Sequence, residues 1–518
     1  MKAIYKHVLF PLLPLLAAGL LAFEFTPLHT LAAPASAKPE PKLIIEEAPI
    51  NRDAKAPISF APVIKKVVPS VVNIYSTTIV HERPGRSPLF NDPFFRRFFG
   101  EPDQQQALPR TRKEESLGSG VIVSPDGYIL TANHVVEGAQ SVKVGLPNGE
   151  REIDAKVIGT DPPTDIAVLK IEPRKNLAPV TIADSDKLEV GDMVLAIGNP
   201  FDVGQTVTMG IVSGLGRGGF GITGYEDFIQ TDAAINPGNS GGALVDAEGR
   251  LIGINTAILS GSGGFQGVGF AVPVNMARYV MDRLITTGKV LRGYLGINIQ
   301  EVTPDLATQF NLPEDSRGVL VGGVSPNSPA AKAGVEDGDV IIAVNGKKVR
   351  DPRNLQLVIA QTPPETRVNL QVLRGEPGHK PIEKSLTATL GQLPQEAIAA
   401  MGGSSVPSKQ EQQKQDVLDG VEVTDIDAAA RRELDLPRSL HGALITSVAP
   451  DSPSAEAGLR QGDVIIEINR QPVKNAEQAV KLSDSVKGNH VLLRVWSAGA
   501  GGGPGGTHYV VVQNGKGQ

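Results

Sequence analysis

At 518 residues the chain is too long for a single hydrophobic core, so roughly two to four domains are expected. A net charge of −6, with acidic and basic residues interspersed, supplies neither a basic stripe for phosphate backbones nor a polybasic membrane patch, so nucleic acid is not an expected partner. The absence of cysteine excludes thiol nucleophiles, thiolate zinc sites, disulfides and a lipidated N-terminal cysteine.

In chain order, "MKAIYKHVLFPLLPLLAAGLLAF" sets Lys2 and Lys6 before an apolar run, and "LAAPASA" offers small-residue cleavage positions. Residues 1–37 are therefore expected to be a secretory signal cut after Ala37, with an uncleaved anchor as the alternative. Residues 38–60 are rich in proline and charge without period, the composition of a disordered lead-in. From residue 61 short β-branched runs accumulate: "SVVNIYSTT", then "SGVIVSPDGYILTANHVV" as two apolar runs about the turn "SPDG", then "DIAVLKI", "DMVLAIG", "QTVTMGIVSGLG", "GGALVDAEGRLIGINTAI" and "GVGFAVPV". That spacing, with its glycine-rich turns, predicts an all-β barrel or sandwich over 61–273. "VNMARYVMDRLITTG" (274–288) has helical apolar spacing and Gly288 as a stop, closing the unit near residue 290. An insert at about 79–115, carrying "NDPFFRRFFG", is too apolar for a solvated linker; it is expected either to be partly disordered or to dock on another subunit.

Beyond residue 290 the chain repeats. "GVLVGGVSPNSPAAKAGVEDGDVIIAVNGKKVRD" from Gly318 aligns without a gap on "GALITSVAPDSPSAEAGLRQGDVIIEINRQPVKN" from Gly442, and the shared "GDVII" core marks two copies of one small module. The modules are placed at 291–393 and 417–518, with a polar linker at 394–416.

"TDAAINPGNSGGAL" (231–244) sets Ser240 among glycines. A serine hydroxyl becomes a useful nucleophile only with a base, a group orienting that base and donors for the developing oxyanion. Of the eight histidines, His7 and His29 lie in the signal and His81 in the irregular insert, while His379, His441, His490 and His508 fall in the repeats or at their edges. His134, in "TANHVV" at the end of an apolar run, is left as the base. Asp165, at the mouth of "TDIAVLK", is the preferred orienting carboxylate; Asp161 is its rival and is assigned to capping the adjacent turn. The order His, Asp, Ser is that of chymotrypsin-like enzymes. Gly238, Asn239 and Ser240 are the oxyanion-hole segment, with the N–H groups of Gly238 and Ser240 as the donors. "GLGRGG" matches a dinucleotide fingerprint in spacing but opens no helix, and no Walker or HExxH sequence is present. No cofactor, ATP or metal is expected.

Together these motifs resemble the HtrA family, the Do-like periplasmic serine endoproteases, from about residue 61 to the C-terminus, with "NDPFFRRFFG" resembling the family's regulatory loop. The resemblance implies a mainly β fold, a chymotrypsin-like double β-barrel followed by two PDZ domains, and a catalytic triad of His134, Asp165 and Ser240. It implies a periplasmic endopeptidase acting on unfolded or misfolded proteins, cleaving after small aliphatic residues and built on a homotrimer. Asn239 stands where trypsin-like enzymes usually carry the aspartate that pairs with a newly cut N-terminus, so zymogen cleavage is not the expected switch. Ordering of the loop "GLGRGGFGITGYEDF" (214–228), which contains Arg217, is expected instead. In the first module "RGYLGI" supplies a carboxylate-binding loop at Tyr294, Leu295, Gly296 and Ile297 for hydrophobic C-terminal peptides. The second offers "LDGVEV" (418–423), where Asp419 is expected to repel a carboxylate and an assembly role is the alternative. The competing functional class is a chaperone or PDZ adaptor with a dormant protease site.

Overall fold

The structure is a computed structural model. It describes residues 41–513 apart from 51, 53–58, 82–110, 148–151, 176, 200–204, 237, 259–264, 314–315, 376–378, 395–414, 417, 419, 435, 487 and 499–504. The expected signal segment, the centre of the phenylalanine-rich insert and Asp419 lie outside the described residues.

A short helix α1 (Ala61–Val67) leads into the first barrel, built from β1 (Val71–His81), β2 (Thr111–Ile122), β3 (Tyr128–Ala132), β4 (Ser141–Gly145), β5 (Ile153–Asp161) and β6 (Ile166–Lys170). Its closed order is β1-β2-β3-β6-β5-β4, all neighbours antiparallel, with β4 returning to β1. The hairpin about "SPDG" forms as the alternation predicts, pairing Val121 with Leu130 and Ile122 with Ile129. A single turn, α2 (Asn133–Val136), follows β3. The insert starts later than its composition suggests: β1 and β2 stay paired out to His81 and Thr111, so residues 79–81 and 111–115 extend the barrel's hairpin.

The second barrel uses β7 (Thr181–Ile182), β8 (Met193–Gly198), β9 (Thr206–Arg217), β10 (Phe228–Thr231), β11 (Ala243–Asp246), β12 (Arg250–Ile258) and β13 (Gly269–Pro273), closed by the pairing of β11 with β12. Its core reaches into the first barrel through Leu130, Ile166 and Val168. That shared apolar seam fixes the two barrels against each other and so fixes the distance between groups on facing loops. The predicted helix α3 (Val274–Thr287) buries Met276, Ala277, Val280, Met281, Leu284 and Ile285 on one face and ends at Gly288, where φ is 74°. One stretch departs from expectation. Residues 41–50 lie on the second barrel, where Glu46 N–H donates to the Ile182 carbonyl (2.9 Å) and the Arg250 guanidinium to the Ala48 carbonyl (2.9 Å). Backbone pairing with β7 orders a segment whose composition carries no strand signal.

The first repeat holds β14 (Gly293–Tyr294), β15 (Ile297–Glu301), α4 (Pro304–Gln309), β16 (Val319–Val324), α5 (Pro329–Ala333), β17 (Val340–Val344), β18 (Lys347–Lys348), α6 (Pro352–Gln361), β19 (Arg367–Arg374), β20 (Ile382–Thr389) and β21 (Gly391–Gln392). The second holds β22 (Gln415–Asp416), β23 (Val421–Asp425), α7 (Ala428–Glu433), β24 (Ala443–Val448), α8 (Pro453–Glu456), β25 (Val464–Ile468), β26 (Gln471–Pro472), α9 (Ala476–Asp484), β27 (His490–Ser497) and β28 (Gly506–Gln513). Each has its own apolar core. The first docks on the barrels by sinking Leu357 and Ala360 of α6 into their core. The second docks on the first through Phe310 and Tyr509, whose rings meet edge to face at 5.1 Å.

Candidate active site

His134 sits on α2, directly after β3, where the strand's end fixes its backbone. Asp165 follows the one-turn helix at Pro162–Thr164 in the left-handed region (φ 57°), a conformation that aspartate tolerates better than most side chains. From there its carboxylate faces α2: it accepts from the His134 backbone N–H (3.0 Å), and its two oxygens lie 3.0 and 2.8 Å from His134 Nδ1. Both side chains are nearly buried. A carboxylate on Nδ1 selects the tautomer protonated there and leaves Nε2 as an acceptor, the form a general base requires.

Ser240 arrives from the other barrel, in the loop before β11. Gly241, at φ 80°, makes the crossing possible: a Cβ there would lie 2.2 Å from the Ser119 carbonyl oxygen, 2.3 Å from Thr131 Oγ1 and 3.0 Å from the Ala132 nitrogen. The loop thus presses on β3 two residues before His134. It is anchored by Ser119 N–H donating to the Ser240 carbonyl (2.9 Å), Gly241 N–H to Asn255 (2.7 Å) and Asn255 N–H to Gly242 (2.9 Å). Thr256 on β12 ties the constellation together: its hydroxyl donates to Asp165 Oδ2, and its carbonyl accepts from Ser240 Oγ at 3.4 Å. Asp165 and Ser240, 75 positions apart along the chain, are brought to one place by this one threonine.

The segment behind the nucleophile is held from below. Ser119 Oγ donates to the Gly238 carbonyl (2.6 Å) and accepts from Asn199 N–H (2.9 Å). Gly238 adopts φ 96°. Within the predicted oxyanion segment the Asn239 N–H is spent on the Asn236 carbonyl at 2.9 Å and is not free to serve as a further donor. Its side chain is buried, with Oδ1 unpartnered among the described residues, a cost a neutral amide bears far more easily than a carboxylate.

Asp161, the rival carboxylate, has other work. It stands at the N-cap of the Pro162–Thr164 turn but, against the expectation, accepts no backbone N–H there; its carboxylate accepts from Thr164 Oγ1 (2.5 Å) and forms a buried bidentate pair with Arg292 at 3.0 and 2.6 Å. The Arg292 guanidinium also lies over the Tyr225 ring, 4.5 Å from its centroid, and Tyr225 N–H donates to the Pro163 carbonyl at 2.8 Å. Within the loop 214–228 the buried Glu226 gathers the N–H groups of Phe220 (2.8 Å), Ile222 and Thr223 (3.1 Å). Arg217 is instead exposed at the end of β9, folded back over Gly214, and is not brought to the triad. "GLGRGG" belongs to that strand and its turn.

In the first repeat, Tyr294, Leu295, Gly296 and Ile297 line a groove of about 450 Å³ between β15 and α6, with Tyr225 at its rim. Gly296 is at φ 76°, and a Cβ there would lie 2.4 Å from Ser328 Cβ. The Leu295 and Gly296 carbonyls accept from Ala330 and Ser325, both at 2.9 Å. Thr256, Ser119, Tyr225 and Arg292 escaped the sequence reading. The available signal was an arginine immediately before "GYLGI".

Two closed barrels, with histidine and aspartate on one and serine on the other, define a trypsin-like serine peptidase carrying two PDZ modules. Family profiles agree: a trypsin-like peptidase domain matches residues 118–254, and PDZ domains match 293–383 and 444–497. The chain is 42% identical to a probable periplasmic serine endoprotease DegP-like of Chlamydia trachomatis, covering 84% of this chain and 86% of that protein. It is 41% identical to the periplasmic serine endoprotease DegP of Salmonella typhimurium (82% and 87%) and 41% identical to the periplasmic pH-dependent serine endoprotease DegQ of Escherichia coli (85% and 88%). A solved structure, the HtrA-type protease AlgW with decapeptide, is 48% identical with a TM-score of 0.51, covering 65% of this chain and 99% of its own. The chain belongs to the HtrA family of DegP-like periplasmic serine endoproteases and is a serine endopeptidase.

Proposed function

We propose that this endopeptidase, exported by its N-terminal segment, degrades misfolded proteins through an acyl-enzyme on Ser240. His134 takes the Ser240 proton as the hydroxyl attacks the scissile carbonyl and returns it to the leaving amine; Asp165 holds the imidazole and offsets its charge. The N–H groups of Gly238 and Ser240 receive the oxyanion, each worth about 10²–10³ in turnover in comparable sites. The observation that carries this reading is Thr256, bonded at once to Asp165 and to Ser240.

The first PDZ module takes hydrophobic C-terminal peptides. With the loop's carbonyls already engaged inward, its N–H groups are left to the groove, the arrangement that captures a terminal carboxylate. The loop 214–228 relays occupancy to the triad, because Tyr225 both rims the groove and bonds Pro163, two residues before Asp165. Tyr225 and Glu226 take the relay role assigned by sequence to Arg217. A homotrimer with chaperone capacity completes the reading, and it follows from the family likeness.

The test uses a reduced, unfolded protein as substrate. Ser240→Ala abolishes cleavage while still suppressing aggregation; Asp165→Asn keeps the fold and lowers turnover by about 10⁴ through the wrong tautomer. Equal, negligible cleavage by wild type and Ser240→Ala would hand the function to the adaptor class.

A further inference from the structure

The two PDZ modules differ at the edge that a peptide needs. Gly296 and Gly420 are equivalent: φ is 76° and 86°, a Cβ on either meets the cap serine of the following helix (Ser328 or Ser452), and their carbonyls accept from Ser325 (2.9 Å) and Ala449 (2.7 Å). Each glycine begins an edge strand, β15 or β23. β15 ends its sheet with its outer edge unpaired among the described residues. β23 does not, because β22, from the interdomain linker, pairs with it antiparallel: Gln415 opposes Val423 and Asp416 opposes Glu422.

β22 also lies against α9, the counterpart of the helix that walls the first module's groove. A terminal carboxylate held at a loop of this kind forces the ligand chain to run toward the glycine while the edge strand runs away from it, an antiparallel addition. β22 runs toward Gly420 and β23 leaves it. It therefore has the direction, edge and helix contact of a bound peptide. In the first module the equivalent residues, Leu291 and Arg292, take another path: the Arg292 carbonyl accepts from Leu393 N–H (3.0 Å) and β14 pairs with β21.

We propose that the second PDZ groove is occupied by the chain's own linker, with Gln415–Asp416 as an intramolecular strand ligand that excludes peptides and leaves one peptide site per chain. The tether between Asp416 and Val421 is short, which puts the strand at an effective concentration on the order of mM, well above a peptide of µM affinity at ordinary concentrations. The count of one peptide site per chain rests on the peptide reading of the first module; the placement of the linker strand on β23 does not.

The probe is a fluorescein-labelled decapeptide with an apolar C-terminal residue, with its C-terminal amide as control. The full-length protein is expected to bind one probe per chain, with slow amide exchange at Val421–Thr424. A Gln415→Pro, Asp416→Pro double variant loses the strand's donors; it is expected to exchange at least about tenfold faster there and to bind a second probe. Ten glycine and serine residues inserted after Asp416 lower the effective concentration without touching the strand, and should give the same result in weaker form. Two probes bound by the unaltered protein, or fast exchange at Val421–Thr424 in it, would overturn the proposal. So would a variant whose released edge still binds one probe. If the probe binds nowhere on the unaltered protein, the peptide reading of the first module fails, and exchange at β23 still decides whether the linker strand is there.

Discussion

The two PDZ copies share a sequence core and bury the aspartate of "GDVII" in the same place, yet they resolve that burial differently. In the first, Asp339 is fully buried and receives two bonds from Arg374, both at 2.7 Å. In the second, Asp463 accepts from Ser497 Oγ at 2.6 Å and from Arg460 N–H at 2.8 Å; burial raises its pKa, and His508 stands close enough to oppose the rise. Their neighbours differ as well. The first is clamped to the protease by Arg292 and Asp161, while the second leans on the first through Tyr509, Arg494 and Thr507. The module joined to the catalytic barrels by a buried ion pair is the one whose groove edge is open. A repeated fold thus fixes where a carboxylate is buried, and its partner is left to local residues.

The sharpest way to break this contrast is at the clamp. Arg292→Ala leaves Asp161 buried and unpaired and is expected to cost about 3–5 kcal/mol in denaturant unfolding, with peptide stimulation lost; the equivalent Asp416→Ala should change stability by no more than about 0.5 kcal/mol. Equal effects would mean that the two modules are attached alike. Next is the buried aspartate: Arg374→Ala is expected to cost about 3 kcal/mol and Ser497→Ala about 1 kcal/mol, measured as shifts in unfolding midpoint.

Smaller effects come from pH. Asp227, on the loop that faces α6, is flanked by Arg353, Arg350, Asp351 and Asp186, and its carboxyl is raised to about 6, chiefly by burial. The folded state then holds this proton where the unfolded state has lost it, so stability falls as pH rises from about 4 to 6. Asp227→Asn should add about 2 kcal/mol at pH 7 and flatten that window. An unchanged slope would remove Asp227 as its source. In the second module the sign reverses. Burial lowers the His508 pKa against the opposing pull of Asp463, so its stability contribution is complete above about pH 6.5 and is lost as pH falls toward the lower folded value. His508→Gln should remove this smallest dependence in calorimetry between pH 5 and 7.

Much of the molecule was legible before any coordinates. Periodicity set the strands and α3, the repeat set the modules, and elimination among the histidines with the order of three motifs pointed to His134, Asp165 and Ser240 as candidates, because alternation and turn chemistry act over a few residues. Strand pairing across the chain was not legible: it extended β1 and β2 into the insert, ordered residues 41–50 and placed β22 on β23. Nor were the supporting groups, Thr256, Ser119 and the Arg292–Asp161 pair, since each acts on a residue far away in sequence. The sequence by itself determined the fold class, the family and which side chains are the candidates for the chemistry, properties of residue type and spacing. The tertiary structure decided what Asp161 pairs with, which groups hold Asp165 against the imidazole and which PDZ edge is left unpaired among the described residues, because hydrogen bonds and burial are settled by what packs alongside.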